Sequence, residues 1–181
     1  MIDIKDLIKS RYAQDNDLKK SFDIPNSISK RILRKSCRKF KKLKVSKEIL
    51  ISLIASAQSA PSKSNLQQYS ILLIKNKEMK NQLSKLFGKT AWALEAPLFF
   101  LFLADIRRNQ IITKYKGYEY KNNSIDYFMN AVIDASLAMQ NLINSVEEFR
   151  LGICPISMVR NNLEEVKKMC HLPEGVFPIA G

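Results

Sequence analysis

Most apolar residues of the chain recur at helical spacing, in segments that proline or clusters of polar residues separate. The Ile24-Pro25-Asn26 stretch divides a first predicted helix from a second, short one over residues 28–33. A third helix is predicted after Ser46, a favoured N-cap, and it ends before Ala60-Pro61, because a residue that precedes proline is pushed out of helical geometry. The apolar faces are Ile4, Leu7, Ile8 and Tyr12 in the first helix, and Ile49, Leu50, Leu53, Ile54 and Ala57 in the third.

Short apolar runs with flanking breakers predict the strands. Residues 69–74 and 97–104 are expected to lie in the interior of a sheet. A shorter strand is predicted over residues 153–156, and residues 176–181 form another strand-like run. The pattern is polar between Asp105 and Ser124, which predicts an irregular excursion in a position to cover a site.

Two further helices lie in the second half of the chain. Ser124 opens a long helix that Gly152 is expected to close in the left-handed conformation. Asn162 followed by Glu165 has the spacing of a capping box, and the helix that they open ends at His171-Leu172-Pro173. The expected buried face of the long helix consists of Ala131, Ala135, Ala138, Met139, Leu142, Ile143 and Val146.

Composition adds a strong positive charge. The chain has 181 residues with 30 Lys or Arg against 17 Asp or Glu, a formal charge of +13. Its length suits one domain, expected over residues 1–181 with residues 1–31 as an N-terminal helical extension.

The longest apolar stretch is far too short to span a bilayer, and the acidic N-terminus is unlike a signal peptide, so a cytoplasmic protein is expected. The three cysteines show no zinc-site spacing, and no metal is expected.

The familiar catalytic motifs are absent from the sequence. It contains no Gly-x-Gly-x-x-Gly, P-loop, Gly-x-Ser-x-Gly or His-Glu-x-x-His, and its only histidine, His171, is expected to stabilise a helix end. The pairs Glu147-Glu148 and Glu164-Glu165 are interpreted as solvated surface carboxylates without a catalytic role.

Two polar segments beside apolar elements are candidates for binding. Arg34, Ser36 and Arg38 alternate, so in an extended segment their side chains project to one side and can cradle an anion. The alternative is a solvated basic patch, since seven of the eleven residues 34–44 are basic. The second segment, residues 59–69, offers hydroxyls and amides suited to the edge of a heterocycle, although alone it is an ordinary Ser/Asn turn.

These two segments, in this order, resemble the nitroreductase family, and the resemblance extends from about Ile32 to the end of the chain. The motifs that carry it are Arg34-x-Ser36-x-Arg38-x-Phe40; Ala60-Pro61-Ser62-x-Ser64-Asn65-x-Gln67; Ala96-Pro97 with a strand ending in Ala104-Asp105; Asp134-Ala-x-x-Ala138-x-Gln140-Asn141; Gly152-Ile-Cys-Pro-Ile156; Arg160-Asn161-Asn162; and residues 172–181.

The resemblance implies an α+β fold, in which helices wrap a mainly antiparallel sheet, and an intertwined homodimer with FMN at the subunit interface. It implies that Arg34, Ser36 and Arg38 bind the FMN phosphate and the pyrimidine side of the ring. Flavin contacts, in part from the partner subunit, are implied for Pro61, Ser62, Ser64, Asn65 and Gln67. Residues Pro155, Ile156 and Ser157 match the strand end that covers the flavin. Since the flavin carries the redox chemistry, no side-chain acid or base is required.

The expected activity is hydride transfer from NAD(P)H through bound FMN to a quinone, a nitroaromatic compound or a similar acceptor. The family's chain continues past the strand that ends here at Gly181, so a missing C-terminal segment is also expected. Two alternatives remain open. One is a shortened remnant that binds flavin weakly and has little or no activity. The other is a basic nucleic-acid-binding module built on residues 34–44, disfavoured because no nucleic-acid-binding motif accompanies the charge.

Overall fold

The computed structural model describes residues 3–14, 20, 22–121 and 124–181. Over these residues helices surround a small antiparallel sheet, which confirms the predicted α+β class. The helices are α1 (Ile4–Tyr12), α2 (Asn26–Leu33), α3 (Lys47–Gln58), α4 (Lys77–Phe87), α5 (Arg107–Tyr115), α6 (Ile125–Glu148) and α7 (Leu163–Met169). The strands are β1 (Tyr69–Ile74), β2 (Phe99–Asp105) and β3 (Val176–Ala180), and 3-10 turns cover Lys63–Asn65, Gly88–Glu95 and Met158–Arg160.

The sheet has the order β1-β2-β3, with both pairs antiparallel. Side chains alternate across a strand, so β2 contributes to two cores. Leu101 and Leu103 pack in the core on the side of α4 and α7, whereas Phe102 and Ala104 pack in the core on the side of α3 and α6. β2 lies in the interior as predicted, but β1 lies at the edge of the described sheet.

Local signals account well for α3 and α6. The Ser46 hydroxyl accepts a hydrogen bond from the Ile49 amide at 3.3 Å, and α3 ends at Gln58, as the following proline predicts. In α6 the alanines at 131, 135 and 138 are completely buried, which allows close packing against neighbouring elements.

In the described part of the chain, no helix is both long and apolar enough to cross a membrane.

The end of α6 corrects one prediction. Gly152 is not the left-handed residue there; Arg150 is, with φ 56°. Glycine is required at 152 for a different reason, because a Cβ atom at this position would lie 2.6 Å from Sγ of Cys37. The close approach of another segment, and not a helix cap, therefore accounts for this glycine.

Three other local predictions were wrong. The polar stretch after Asp105 contains the regular helix α5, although residues 122 and 123 lie outside the described part. Residues 153–156 are extended but form no strand. The Asn162 side chain makes no cap on α7; its amide donates instead to the Leu86 carbonyl at 3.1 Å, so a contact between segments replaces the predicted capping box.

Candidate functional site

The basic segment that follows α2 forms neither helix nor strand over residues 34–40, and its first residue, Arg34, has extended backbone angles (φ −52°, ψ 134°). The amide of Cys37 donates to the Ile153 carbonyl at 3.0 Å, so the segment runs beside residues 152–154. Cys37 and Lys39 line an apolar cavity of about 530 Å³. Arg34, Ser36 and Arg38 do not line this cavity, as expected for side chains that alternate with Cys37 and Lys39 in an extended segment. We call Arg34, Ser36 and Arg38 the anion cradle. The cavity therefore lies on the opposite side of the segment from the anion cradle.

Arg34 is held from two directions. Its carbonyl accepts a hydrogen bond from Nη1 of Arg11 at 3.1 Å, which brings a guanidinium of α1 to the end of α2. Its own Nε lies 4.0 Å from Oε1 of Glu147 near the end of α6. The side chain of Arg34 is 27% exposed, so its charge can still reach a ligand at the surface.

Glu147 differs from its sequence-based interpretation. Its side chain is only 16% exposed and one carboxylate oxygen is fully buried, so it is not a solvated surface carboxylate. Burial raises the pKa of the Glu147 carboxyl, while Arg34 opposes this shift and Glu148 adds to it. Glu148, Glu164 and Glu165 are exposed as predicted. Helical spacing could have indicated that Glu147 is largely buried, because it follows the buried Ile143 by four residues and so lies on the same face of α6.

The second predicted segment forms a compact loop before β1, here called the polar loop (residues 62–68). Ser64, Asn65 and Gln67 all have positive φ, between 48° and 54°, although none is glycine. Ser62 closes the loop, since its hydroxyl accepts from the Gln67 amide at 2.7 Å. The side-chain amide of Gln67 also donates to Oδ1 of Asn65 at 3.2 Å. The side chains of Ser64, Asn65 and Gln67, like that of Pro61, are exposed and available to a ligand.

Asp134 of α6 contacts this loop and was given no role from the sequence. It is 1% exposed, and its two oxygens accept from the Lys63 and Gln68 amides, each at 3.1 Å. Helical spacing could have identified it, because it lies beside Ala131, Ala135 and Ala138 on the buried face of α6.

The third predicted segment, Pro155 to Ser157, begins two residues after Ile153, which accepts a hydrogen bond from the Cys37 amide. Ile156 is buried and exchanges two hydrogen bonds with Gly181, at 2.8 and 2.9 Å. Ser157 is exposed and has φ −98°, so it carries no left-handed strain. Pro155 lines the apolar cavity, whereas Ile156 and Ser157 do not.

The structure brings together two of the three predicted segments. The contact between Cys37 and Ile153 places the anion cradle next to the segment that leads to Pro155, Ile156 and Ser157. The polar loop instead contacts α6 at Asp134, thirteen residues before Glu147, which corresponds to about 20 Å along a helix. Within one chain the polar loop therefore lies far from the end of α6 that Arg34 contacts.

Comparison with known proteins supports the resemblance to the nitroreductase family. Residues 33–180 match the sequence profile described as the nitroreductase family. An FMN reductase (NADPH) of Bacillus subtilis is 34% identical over 158 residues, which cover 86% of this chain and 64% of that protein. A Cr(VI) reductase of Pseudomonas sp. is 36% identical over 137 residues, covering 76% of this chain and 56% of that protein.

The fold gives the same result. The structure of NfrA2 from B. megaterium superimposes with a TM-score of 0.83 at 33% identity, covering 87% of this chain and 64% of that one. This chain thus spans somewhat less than two thirds of the length of the relatives that it matches. The profile match extends over most of the chain and includes the anion cradle, the polar loop and the Pro155–Ser157 segment. The chain belongs to the nitroreductase family.

Proposed function

We propose that this protein is an FMN-dependent oxidoreductase that takes a hydride from NAD(P)H and passes reducing equivalents to a small acceptor, in a ping-pong sequence. The flavin, when bound, supplies the redox chemistry. The protein's own residues then have three tasks, namely to bind the phosphate, to orient the ring and to bring donor and acceptor to it in turn. Quinones, nitroaromatic compounds and, from the names of the relatives, flavin and chromate are the candidate acceptors.

The anion cradle suits the FMN phosphate. Arg34 and Arg38 flank Ser36 in the sequence, and none of the three residues lines the apolar cavity. Guanidinium groups bind phosphate oxygens in pairs, and the hydroxyl adds a further hydrogen bond. Glu147 balances part of the charge of Arg34 before a ligand binds, and the proximity of Arg11 adds positive charge at the same end of α2.

The polar loop suits the edge of the flavin ring. Its left-handed residues turn the amides of Asn65 and Gln67 and the hydroxyl of Ser64 outward, where they can pair with the donors and acceptors of the ring. Pro61 and Ser62 frame the same loop, Pro61 as the residue before it and Ser62 through the hydrogen bond that closes it.

The third segment covers the ring in this proposal. Pro155 has no amide hydrogen, and the amide of Ile156 already donates to Gly181 at 2.8 Å. Of these three residues, Ser157 therefore retains a backbone amide that can donate to the flavin near N5. Its unstrained φ shows that serine is well accommodated at this position.

A homodimer completes the site. The polar loop and the contact of Arg34 with Glu147 lie about 20 Å apart along α6, so we infer that the polar loop of one copy serves the anion cradle of the other. The exposed face of α6 offers a surface for that pairing. Its apolar side chains recur every fourth residue and are 37–80% exposed: Ile125, Met129, Ile133 and Leu137.

The observation that carries the proposal is the ordered set of three binding segments within the family match. The test is the visible absorption spectrum of the purified protein, before and after incubation with FMN, followed by NADPH and NADH oxidation assays with quinone and nitroaromatic acceptors. Bound flavin that is reduced and then reoxidised by an acceptor is expected. Protein that stays colourless and oxidises neither nucleotide would refute the proposal, whereas bound flavin without turnover would favour an inactive remnant.

A further inference from the structure

Asp134 holds both ends of the polar loop. Its carboxylate lies on the buried face of α6, at 1% exposure, among alanines that leave room for the chain to approach. Oδ1 accepts from the Lys63 amide, at the start of the 3-10 turn, and Oδ2 accepts from the Gln68 amide, immediately before β1. One side chain thus ties the beginning and the end of the loop to the same helix.

The loop between these two anchors is costly to form. Ser64, Asn65 and Gln67 are left-handed, a conformation in which the Cβ atom of an L-residue is crowded. Such residues persist only where the surrounding structure over-determines them. The hydrogen bond from the Gln67 amide to Ser62 closes the loop internally, but it does not tie the loop to the rest of the protein. The Gln68 carbonyl accepts from the Asp105 amide of β2 at 3.0 Å, which ties the end of the loop to the sheet. The two bonds to Asp134 attach both the beginning and the end of the loop to α6.

The charge of Asp134 is directed at this backbone. A buried carboxylate is expensive, so it is retained where hydrogen bonds compensate it. In the ion pairs of the described residues, the Lys63 ammonium pairs with the exposed Asp126 at 3.5 Å and not with Asp134. The acceptor capacity of Asp134 is therefore used by the two amides at the ends of the loop.

We propose that Asp134 is the positioning residue of the polar loop: by clamping the Lys63 and Gln68 amides it orients Ser64, Asn65 and Gln67 for a flavin ring. The clamp is a property of the folded chain, whereas its consequence for flavin rests on the function proposed above. Asp134 itself stays buried behind the loop and touches neither flavin nor substrate.

The test compares Asp134→Asn with Asp126→Asn, a matched control. Both substitutions remove one carboxylate from α6, and both residues contact Lys63, but Asp126 does so only through the exposed lysine side chain. Asparagine at 134 presents one acceptor and one donor, so one loop amide loses its partner. Hydrogen exchange of the Lys63 and Gln68 amides is measured with and without FMN, together with FMN affinity, the visible circular dichroism of the bound flavin, and the melting temperature.

The expected result is specific to the loop. In Asp134→Asn at least one of the two amides exchanges about tenfold faster or more, and FMN binds about tenfold more weakly with an altered dichroism, since a hydrogen bond to a charged group is lost. The amides of β1 and β2 keep their protection. Asp126→Asn is expected to leave the exchange of both loop amides and the FMN affinity unchanged.

Two outcomes would overturn the inference. One is unchanged exchange, FMN affinity and dichroism in Asp134→Asn; the other is equal effects of the two substitutions. If Asp134→Asn does not fold, hydrogen exchange of the wild-type protein tests the clamp. Exchange of the Lys63 and Gln68 amides at the rates of unprotected amides would exclude it. If the wild type binds no FMN, the proposed function fails, while the exchange data still decide whether Asp134 clamps the loop.

Discussion

Arg34 and Glu147 approach each other where α2 and α6 end, with Nε of the arginine 4.0 Å from Oε1 of the glutamate. The pair links a residue of the anion cradle to a half-buried carboxylate on the longest described helix. Burial raises the pKa of Glu147 despite the nearby guanidinium, so the charged form of this side chain is disfavoured in the folded protein. We therefore expect the stability of the fold, and anion binding by Arg34 where it occurs as proposed, to depend on the charge of Glu147.

The first prediction concerns pH. A carboxyl whose pKa is raised by folding contributes stability that is fully present below its ordinary pKa of 4.5 and is lost as the pH rises through the raised value. Glu147→Gln removes this loss. The melting temperature of Glu147→Gln minus that of the wild type should therefore be higher at pH 7 than at pH 4. The exposed Glu165→Gln serves as the control, and identical pH profiles for the wild type and Glu147→Gln would contradict the prediction.

The second prediction separates phosphate binding from ring binding. Replacing both Arg34 and Arg38 by alanine should weaken FMN binding by about tenfold or more, because charge-assisted hydrogen bonds to the phosphate are lost. Riboflavin has no phosphate and shares only the ring contacts, so its affinity should fall much less than that of FMN. Fluorescence titration with both ligands measures the difference.

A control for this double variant comes from the same basic run. Lys41 and Lys44 line the apolar cavity and not the anion cradle, so replacing both by alanine should change FMN affinity much less. If the two double variants lose equal affinity, general positive charge rather than the cradle binds the phosphate.

The third prediction tests the contact between the anion cradle and the segment beside it. Gly152→Ala places a methyl group 2.6 Å from Sγ and 2.7 Å from Cβ of Cys37, so one of the two segments must move. The substitution should cost about 1–3 kcal/mol of unfolding free energy, measured in urea. Adding Cys37→Gly should recover part of this loss, since it removes both clashing atoms; equal stability of the single and double variants would argue against the clash.

The fourth prediction concerns the exposed face of α6. Ile133→Lys places a charge at the centre of the apolar surface that the dimer is proposed to bury, so it should shift the protein toward monomers in sedimentation equilibrium and weaken FMN binding. Ile51→Lys on α3 replaces an isoleucine of similar exposure (55% against 49%) outside that face and should leave the assembly intact. A wild type that is monomeric at all concentrations would refute the dimer.

Local signals predicted much of the fold. The bounds of β1 agree with the prediction, and α3 begins after its Ser46 cap and ends just before its proline, because caps, prolines and periodicity act within a few residues. Two predictions were wrong where the actual contact comes from a residue that is distant in sequence. Asn162 was expected to cap its own helix but bonds to Leu86, and Gly152 is required by Cys37 and not by helix geometry. In each case a residue remote in sequence supplies the decisive contact.

For the candidate site, the sequence by itself determined which residues are candidates to bind an anion and a heterocycle, because alternation and side-chain chemistry are local properties. Only the tertiary structure decided where these groups lie. Packing along α6 set Glu147 beside Arg34 and Asp134 beneath the polar loop, and it separated these contacts by about 20 Å of helix. Such contacts join residues 66 and more positions apart, so burial and distance followed from how the segments pack and not from any local pattern.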